Sequence, residues 1–373
     1  MKKILLLFLV NSVCFAQQLS IPQIKFSPQK YICYYTNKPL IIDGRLIETA
    51  WKKAEWTNDF VDIEGYSKPV PRFRTRVKML WDSSYLYIAA EIQEPDIWAT
   101  LRQRDTAIFY DNDFEIFIDP DGDTHRYSEF EMNALNTVWD LLLIKPYRDT
   151  WNAAVNDWDI HGLKSSVKIN GTLNKPGDKD EGWTVEVAFP WDAFKEITQV
   201  SVPPKIKDQW RINFSRVEWK TEVKNGMNMK IINPKTDKPY PEDNWVWSPQ
   251  GIVNMHYPEM WGYIQFSTDS VGNKIDSFVV RKEEAAKWYL RQIYYKERNY
   301  FDSIGTFTTD LKKIGIKEED IKGFKMPANV ECTSDYFEAQ LKSLDNSETV
   351  LIRNDGRVWI EQSLQNKMLN KKN

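Results

Sequence analysis

Residues 111–123 read DNDFEIFIDPDGD and bring carboxylates and large apolar side chains together in one short stretch. Apolar and polar residues alternate along its first half, which predicts a strand with one apolar face and with Glu115 on the other. Phe109 and Tyr110 stand just upstream. A sugar ring offers an apolar C–H face for stacking and hydroxyls for hydrogen bonds. Rings beside a carboxylate therefore predict a sugar-binding surface around Glu115.

Three carboxylates follow this strand at alternate positions. Asp119, Asp121 and Asp123 are spaced around Pro120 and Gly122, a pair that indicates a turn. Hard cations such as Ca²⁺ prefer several oxygen ligands, and alternate carboxylates around a glycine turn can face one centre. The segment lacks the full ligand set of a helix–loop–helix calcium site, so a solvated acidic turn is the alternative. We predict a structural Ca²⁺ site here.

Other site chemistries have weaker support. His125, His161 and His256 show no paired spacing, so zinc catalysis is not indicated. There is no Gly-x-Ser-x-Gly elbow and no phosphate-binding glycine loop. Glycoside hydrolysis needs two carboxyl groups, about 5 Å or about 6.5–9.5 Å apart. No motif singles out such a pair among the 53 acidic residues, and a hydrolase remains an alternative.

The N-terminal sequence MKKILLLFLVNSVCFAQQ has two lysines, a short apolar core and small residues near Ala16. This pattern predicts a secretory signal over residues 1–16, cleaved before Gln17. A lipoprotein signal would modify Cys14, but Val13 precedes it where a very small residue is required. No later stretch approaches about 18 consecutive apolar residues. We therefore predict a secreted, periplasmic or cell-surface protein without a membrane span.

The composition narrows the class of partner. The net charge is −3 with both signs interspersed, so no basic stripe indicates nucleic acid. Cys33 and Cys332 would remain after cleavage, and they could pair or stay as buried thiols. The chain has 16 Trp, 17 Tyr and 18 Phe, more rings than a core demands. The surplus could face a ligand, although burial in a β-sandwich is the better expectation for any single Trp.

The order of predicted elements indicates two domains. Residues 17–38 read as an extended lead-in without a regular element. Residues 39–269 contain many short strands separated by turns, which predicts a mainly β, antiparallel β-sandwich. The predicted strands are 74–81, 85–92, 113–118, 128–135, 138–144, 165–169, 183–189, 210–218 and 262–267, with short helices at 46–54 and 190–194. Long loops at 147–162 and 229–260 are expected to contribute to binding.

The character of the sequence changes near residue 270. We predict that residues 270–373 form a small α+β domain with a polar Lys/Asn tail. An apolar stripe at helical spacing predicts a helix over 283–301. A second short helix is predicted over 309–314. Four strands follow, over 329–333, 337–344, 349–353 and 358–362.

Six blocks occur in an order that resembles the family 9 carbohydrate-binding modules, especially secreted family 9-like proteins of polysaccharide-degrading bacteria. They are IIDGRLIETAWKKA (41–54), VKMLWDSSYLYIAAEIQEPD (77–96), DNDFEIFIDPDGD (111–123), GWTVEVAFPW (182–191), WRINFSRVEW (210–219) and HYPEMWGYIQF (256–266). The resemblance spans residues 40–267. It implies a β-sandwich related to domains that bind sugars or haem. The sugar binders hold a terminal sugar between two aromatic rings and carry structural calcium.

Position by position, the resemblance implies roles for several residues. Glu115 matches the acidic residue that bonds sugar hydroxyls, and Asn133 matches a commonly polar position. Phe109, with Tyr110 beside it, stands where the first stacking Trp is expected. Met255, His256 or Tyr257 occupies the place of the second. Both expected tryptophans are therefore replaced in this sequence. Arg126 does not clearly match the pattern, but it could bond hydroxyls from the neighbouring strand.

We therefore predict a secreted, non-catalytic carbohydrate-binding protein that acts in polysaccharide capture or breakdown. Phe109, Tyr110 and Tyr257 would form the stacking platform, and Glu115, Arg126, Asn133 and His256 would supply hydrogen bonds. Other secreted polysaccharide-degrading proteins are potential partners. The alternatives are a glycoside hydrolase or its accessory, a haem-binding module and a protein-interaction module. The haem alternative would use axial ligands such as Met255 or His256, without a Cys-x-x-Cys-His attachment site.

Overall fold

The computed structural model of the protein describes residues 18–150, 152–273 and 276–363. The predicted signal over residues 1–16 and the polar tail from residue 364 lie outside the described residues. The chain divides into two compact units. The larger contains Ile21–Glu284 and Asp355–Trp359, and the smaller contains Ala285–Asn354 and short flanking segments. Residues 270–284, which we assigned to the smaller domain from the sequence, group with the larger unit.

Short strands make up most of the larger unit, as predicted. Its strands are β1 (Lys30–Tyr35), β2 (Val61–Asp62), β3 (Thr75–Trp81), β4 (Tyr85–Gln93), β5 (Asp113–Asp119), β6 (Tyr127–Asn133), β7 (Val138–Leu143), β8 (Ala154–Val155), β9 (Lys164–Asn170), β10 (Gly182–Pro190), β11 (Gln209–Glu218), β12 (Thr221–Lys224), β13 (Met227–Lys230), β14 (Ile232–Asn233), β15 (Lys238–Pro239), β16 (Asp243–Val246) and β17 (Gly262–Ser270). Its short helices are α1 (Thr49–Lys53) and α2 (Trp191–Phe194), with 3₁₀ turns at Ile108–Tyr110 and Pro258–Met260.

One hydrogen-bonded path joins most of these strands, in the order β8-β7-β6-β5-β11-β17-β1-β3-β4-β10-β9, and β16 and β2 extend from β11. The two arms of this path share a single apolar core. Phe130 of β6 and Phe189 of β10 lie on opposite arms, yet their ring centroids are 5.7 Å apart. The arms are therefore packed face to face, which confirms the predicted β-sandwich.

β1 corrects our interpretation of residues 17–38 as a lead-in without regular structure. The strand begins two residues after Pro28, so the proline does not interrupt it. It pairs in parallel with both β17 and β3. Its alternation turns Cys33 into the core, where that side chain is fully buried. Because β1 lies between two strands and forms hydrogen bonds with both, it can be stable without a strong strand pattern in its own sequence.

A buried ion cluster joins the two layers of the sandwich. The guanidinium of Arg216, on β11, is fully buried and donates to Glu94 Oε2 at 2.9 Å and to Glu218 Oε2 at 2.8 Å. It also donates to the Gln93 carbonyl and to the Thr75 hydroxyl of the β3–β4 hairpin. Burial raises the pKa of Glu218 to about 8, and the Glu94 carboxylate adds to this shift. Arg216 therefore keeps two buried carboxylates paired.

The smaller unit combines one long helix with a four-stranded sheet. Helix α3 (Glu283–Ile304) precedes β18 (Asn329–Cys332), β19 (Phe337–Lys342), β20 (Glu348–Arg353) and β21 (Val358–Gln362), which lie in this order in the sheet. The helix buries Leu290, Ile293 and Tyr294 completely. The predicted α+β class is confirmed. Cys33 and Cys332 are both free thiols in the structure.

The helix predicted over 309–314 is wrong, because the structure has a turn there. The Asp310 carboxylate accepts hydrogen bonds from the backbone N–H groups of Lys312 and Lys313. These bonds cap the segment as they would the start of a helix, but Gly315, with φ of 71°, ends it after a single turn. Among the described residues, no helix combines the length and the apolar character needed to cross a membrane.

Candidate functional site

The two faces of β5 have different environments. Phe114, Ile116 and Ile118 enter the main core, whereas Asp113, Glu115 and Phe117 lie on the opposite face. In the antiparallel register, Glu115 stands directly opposite Glu131 of β6 and Ser215 of β11. Directly paired residues share a face of the sheet, with Cβ atoms about 4.5–5.5 Å apart. Strand pairing thus gathers acidic side chains that are distant in the sequence.

A cavity of about 180 Å³ opens over this face of the sheet. It is lined by four rings (Phe109, Phe117, Trp139, Tyr147), four glutamates (Glu115, Glu129, Glu131, Glu242) and Val217, Asn244, Met255 and His256. The volume is several times the roughly 30 Å³ that one water occupies in the liquid. It is below the about 300–1,000 Å³ of sites for drug-sized ligands. These dimensions suit one sugar ring better than a long chain.

Three residues predicted from the sequence meet in this cavity. Phe109, Glu115 and His256 line it, although more than 140 positions separate the first from the last. The backbone N–H of Phe109 donates a hydrogen bond to Glu131 Oε2 at 3.1 Å, which fixes the position of Phe109 relative to the acidic wall. Tyr110 is exposed and does not line the cavity, but its ring centroid lies 4.6 Å from that of Phe109. Tyr110 therefore stands beside the site.

Asn133 lies outside the cavity, and its position corrects our prediction of a ligand role. Its side chain is fully buried. The Nδ2 group donates to the Leu101 carbonyl and to Asp111 Oδ2. The Oδ1 atom accepts the N–H groups of Leu135 and Thr137. Because all of these bonds are internal, Asn133 fixes the turn between β6 and β7 and has no free group for a ligand.

Tyr257 and Arg126 are also absent from the cavity wall. Tyr257 is buried, and the Arg148 guanidinium lies 4.4 Å from its ring centroid. The 3₁₀ turn Pro258–Met260 begins directly after Tyr257 and redirects the chain, so His256 takes the position on the cavity. Arg126 lies in the turn before β6 with φ of 49°. We therefore do not retain Tyr257 or Arg126 as ligand residues.

The carboxylates of this face are crowded. Oxygen atoms of Asp113, Glu115 and Glu131 lie within 4.8 Å of one another, and all three residues are buried. Burial raises the pKa of Glu115 to about 7, and the charge of Glu242 adds to this. Burial followed by the Glu115 charge raises the pKa values of Asp113, Glu129 and Glu131 well above their usual range. Near neutral pH the group therefore retains protons that exposed carboxylates would lose.

His256 contributes no positive charge to offset these acids. Burial, together with the nearby Arg148 guanidinium, lowers the pKa of His256 to about 3. Its Nδ1 lies 3.0 Å from the Tyr127 hydroxyl, which can donate to the neutral ring. Arg148 itself donates to both carboxylate oxygens of Glu259 and to the His256 carbonyl. The imidazole is therefore a neutral hydrogen-bonding group at physiological pH.

Glu129, Glu131 and Glu242, three of the four glutamates in the cavity wall, were not predicted from the sequence as site residues. Glu129 and Glu131 alternate with core residues along β6, and Trp139 alternates in the same way along β7. That period-2 pattern was visible in the sequence, but its consequence depends on register. Only the pairing of Glu115 with Glu131, and of Glu131 with Trp139, places them together. Tyr147 and Glu242 come from the two long loops that we predicted to carry binding residues.

The predicted calcium residues lie in the turn after β5. Carboxylate oxygens of Asp119, Asp121 and Asp123 lie within 4.8 Å of one another. Asp119 accepts the N–H groups of Gly122 and Thr124, so the turn wraps around this side chain. Gly122 has φ of 63°, a left-handed conformation that glycine adopts readily. The local sequence thus folds so that three carboxylates converge.

The other hydrogen bonds of this turn leave one carboxylate oxygen available to coordinate a cation. Asp121 Oδ2 accepts the Thr198 hydroxyl, and Asp121 Oδ1 is buried without a hydrogen-bond partner among the described residues. Asp123 accepts the Arg357 Nε at 2.8 Å. The Asp121 charge, after burial, raises the pKa values of Asp119 and Asp123. A cation would relieve this repulsion, and its ligand set would include the open oxygen of Asp121.

A larger cavity of about 580 Å³ lies elsewhere in the same unit, beside Lys53, Glu55, Trp56 and Phe278. None of the residues that the sequence suggested for ligand binding lines it. It also lacks a cluster of buried carboxylates among its described lining residues. It is nevertheless large enough for a ligand. It therefore supplies control variants for experiments on the smaller cavity.

A family model described as "Carbohydrate family 9 binding domain-like" matches residues 42–268, more than half of the chain. The protein belongs to this family. Membership supports carbohydrate binding as its general function, and it agrees with the resemblance found in the sequence blocks. A comparison with curated proteins finds no match.

Solved structures of low identity are also similar to this chain. Family 9 carbohydrate-binding modules from Caldicellulosiruptor kristjanssonii, in complex with cellotriose and with glucose, are each 16% identical with TM-scores of 0.40. The matches cover 67% and 66% of this chain and 99% and 100% of the modules. A putative carbohydrate-binding protein from Bacteroides uniformis is 16% identical with a TM-score of 0.45, covering 65% of this chain and 100% of that one.

Proposed function

We propose that the protein binds a glycan without cleaving it, in the cavity on the outer face of β5. One observation carries this proposal: Phe109, Glu115 and His256, chosen from the sequence, line one cavity together with Trp139 and Tyr147. The rings offer apolar surfaces to the C–H face of a sugar, a contact on the order of 1 kcal/mol per ring. The carboxylates and the neutral imidazole offer hydrogen bonds to its hydroxyls.

We also propose that the protein is secreted and captures polysaccharide at or outside the cell surface, as a partner of enzymes that degrade it. The support is the N-terminal signal pattern and the family membership. A protein of this kind would present glycan ends to hydrolases. Fractionation of the native host, with immunodetection of each compartment, tests the location. Detection only in the cytoplasmic fraction would contradict it.

Calorimetric titration of the purified protein with a panel of glycans, including glucose and cellotriose, tests binding. We expect saturable binding to at least one glycan. Phe109→Ala should weaken it about tenfold, since a stacking ring is lost from the wall. Glu55→Gln, in the larger cavity, is the matched control and should leave affinity unchanged. If the folded protein binds no glycan, the proposal fails, and if only Glu55→Gln reduces binding, the site is wrong.

A glycoside hydrolase is the second candidate, favoured by one observation. The pKa of Glu115 is raised to about 7 within a cluster of buried carboxylates, the condition of a general acid near neutral pH. An assay for reducing ends released from any glycan that binds distinguishes a hydrolase from a protein that only binds. We expect none after prolonged incubation. Release that disappears in Glu115→Gln but persists in Glu55→Gln would establish the enzyme and reject a purely binding role.

We further propose that Asp119, Asp121 and Asp123 hold a structural Ca²⁺. The support is their convergence within 4.8 Å and the open Oδ1 atom of Asp121. Three carboxylates, with backbone carbonyls and waters, match the oxygen preference of this cation. The ion would stabilise the turn that follows β5, and therefore the strand that carries Glu115.

Calcium should raise the thermal stability of the chelator-treated protein. At 100 times its dissociation constant, a ligand that binds only the folded state adds about 2.7 kcal/mol. We expect a rise of several degrees in the melting temperature, measured by calorimetry. Asp121→Ala should abolish the rise, and the control Glu222→Gln, at a partly exposed position of β12, should keep it. The same melting temperature with and without calcium in the wild-type protein would contradict the site.

A further inference from the structure

We propose that the sugar bound in the cavity carries a protonated amine, so that the ligand is a hexosamine without an N-acetyl group. This inference rests on the proposed function, because it names the class of sugar for the same site. The reason for proposing an amine is that the cavity holds more buried carboxylates than a neutral sugar would need as hydrogen-bond acceptors.

The wall of the cavity is strongly acidic. Four glutamates line it, and none of the described lining residues is a lysine or an arginine. Two cations act near the wall: Arg148 pairs with Glu259, and Lys230, 3.4 Å from the Trp219 ring centroid, feels the charge of Glu242. Burying carboxylates without a counter-charge is costly. The cluster avoids that cost by retaining protons, and a cationic group in the cavity would take the place of those protons as the counter-charge.

A buried polar atom of the acidic cluster also lacks a partner, although its residue does not line the cavity. Asp113 is 0% exposed, and its Oδ2 makes no hydrogen bond with the described residues. Its carboxylate belongs to the cluster in which oxygens of Asp113, Glu115 and Glu131 lie within 4.8 Å. An ammonium group has three donors and no acceptor, so it can serve several oxygens of the lining glutamates at once, and Glu115 and Glu131 link these to Asp113. A sugar hydroxyl has one donor and brings acceptors of its own.

His256 and Asn244 also line the cavity and offer a nitrogen and an amide oxygen, but the aromatic part of the lining favours an organic cation over a metal ion. Phe109, Phe117, Trp139 and Tyr147 line the cavity with aromatic surface, which attracts cations but supplies no carbonyl ligands. The volume of about 180 Å³ exceeds what a lone ion needs. A sugar with an ammonium substituent uses both features, because its ring packs on the aromatic side chains and its charge meets the glutamates. An N-acetyl group would be neutral and bulkier.

The test compares glucosamine, glucose and N-acetylglucosamine by calorimetry, with chelator-treated protein at about pH 6.5, where a sugar amine is mostly protonated. We expect glucosamine to bind at least tenfold more tightly than either neutral sugar. Glu131→Gln should remove most of this preference, and Glu55→Gln should preserve it. Glu242→Gln, at the partly exposed rim, provides a second variant if Glu131→Gln does not fold.

The outcomes separate this inference from the proposed function. Equal binding of glucosamine and glucose, reduced by Phe109→Ala, would overturn the amine preference and leave carbohydrate binding intact. Binding of neutral sugars that requires added calcium and is lost in Glu131→Gln would mean that the carboxylates hold a metal, which also overturns it. If these sugars and the whole glycan panel fail to bind, both proposals fail.

Discussion

Glu115→Gln is expected to weaken glycan binding and, at the same time, to stabilise the ligand-free protein above neutral pH. The carboxylate is buried at the cavity wall opposite Glu131. A hydrogen bond to a charged group contributes about 1.5–3 kcal/mol, so its loss should weaken binding by about 10- to 100-fold. Calorimetric titration of both proteins with the tightest ligand of the panel measures this effect.

The effect of Glu115→Gln on stability follows from the direction of the pKa shift. Burial raises the pKa of Glu115 from 4.5 to about 7. A group whose pKa is raised in the folded state stabilises that state fully below pH 4.5, and this contribution disappears as the pH rises through 7. The wild-type protein should therefore lose on the order of 1–3 kcal/mol from this group between about pH 4.5 and 8. Glutamine does not ionise and avoids the loss.

Urea unfolding at about pH 5 and at about pH 8 checks this prediction. The advantage of Glu115→Gln over wild type should be larger at the higher pH. Glu55→Gln, which is outside the acidic cluster, should show no such change. An identical difference between Glu115→Gln and wild type at both pH values would contradict the shifted pKa.

Arg216→Met is expected to cause the largest loss of stability, about 3–5 kcal/mol. The guanidinium is fully buried and pairs with Glu94 and Glu218, so its removal takes the counter-charge from Glu94 and leaves Glu218 with only the partly exposed Arg72, 4.0 Å away. The variant also loses the hydrogen bonds to Thr75 and Gln93 that join the two layers. Denaturant unfolding of the ligand-free protein measures the change.

A matched control comes from the surface of the same sandwich. Arg74 pairs with Glu91 at 2.8 Å, but its side chain is 48% exposed. Arg74→Met should cost less than about 1 kcal/mol, because exposed ion pairs contribute little. Comparable losses in Arg74→Met and Arg216→Met would show that the buried cluster does not stabilise the fold.

Much of the fold follows from alternation and turn residues alone. The pattern of residues 113–118 predicted a strand with Glu115 opposite the core face, and the structure confirms it. The hairpin of β3 and β4 was equally clear, because Asp82 and Ser84 provide a turn between two alternating runs. β1 was missed because prolines upstream of it hid a strand that depends on two neighbours for its edges.

The candidate site was harder to predict because it depends on register and on loop paths. Sequence reasoning could place Glu115 on a face but could not pair it with Glu131. It assigned Asn133 a ligand role from polarity, although internal hydrogen bonds satisfy that side chain. His256 and Tyr257 were equivalent in the sequence, and the 3₁₀ turn after Tyr257 decides between them. Burial of most large rings was expected, whereas the placement of Trp139 at the cavity was not.

The most direct test of a glycan site at this cavity is the NMR signal of the Trp139 indole N–H. Trp139 lines the cavity, and its Nε1 has no hydrogen-bond partner among the described residues, so a bound sugar should shift its signal. Trp56, in the larger cavity, provides an internal reference. During titration with glucosamine and with cellotriose, we expect a saturable shift of the Trp139 signal and a constant Trp56 signal. A shift of Trp56 with Trp139 unchanged would contradict the account.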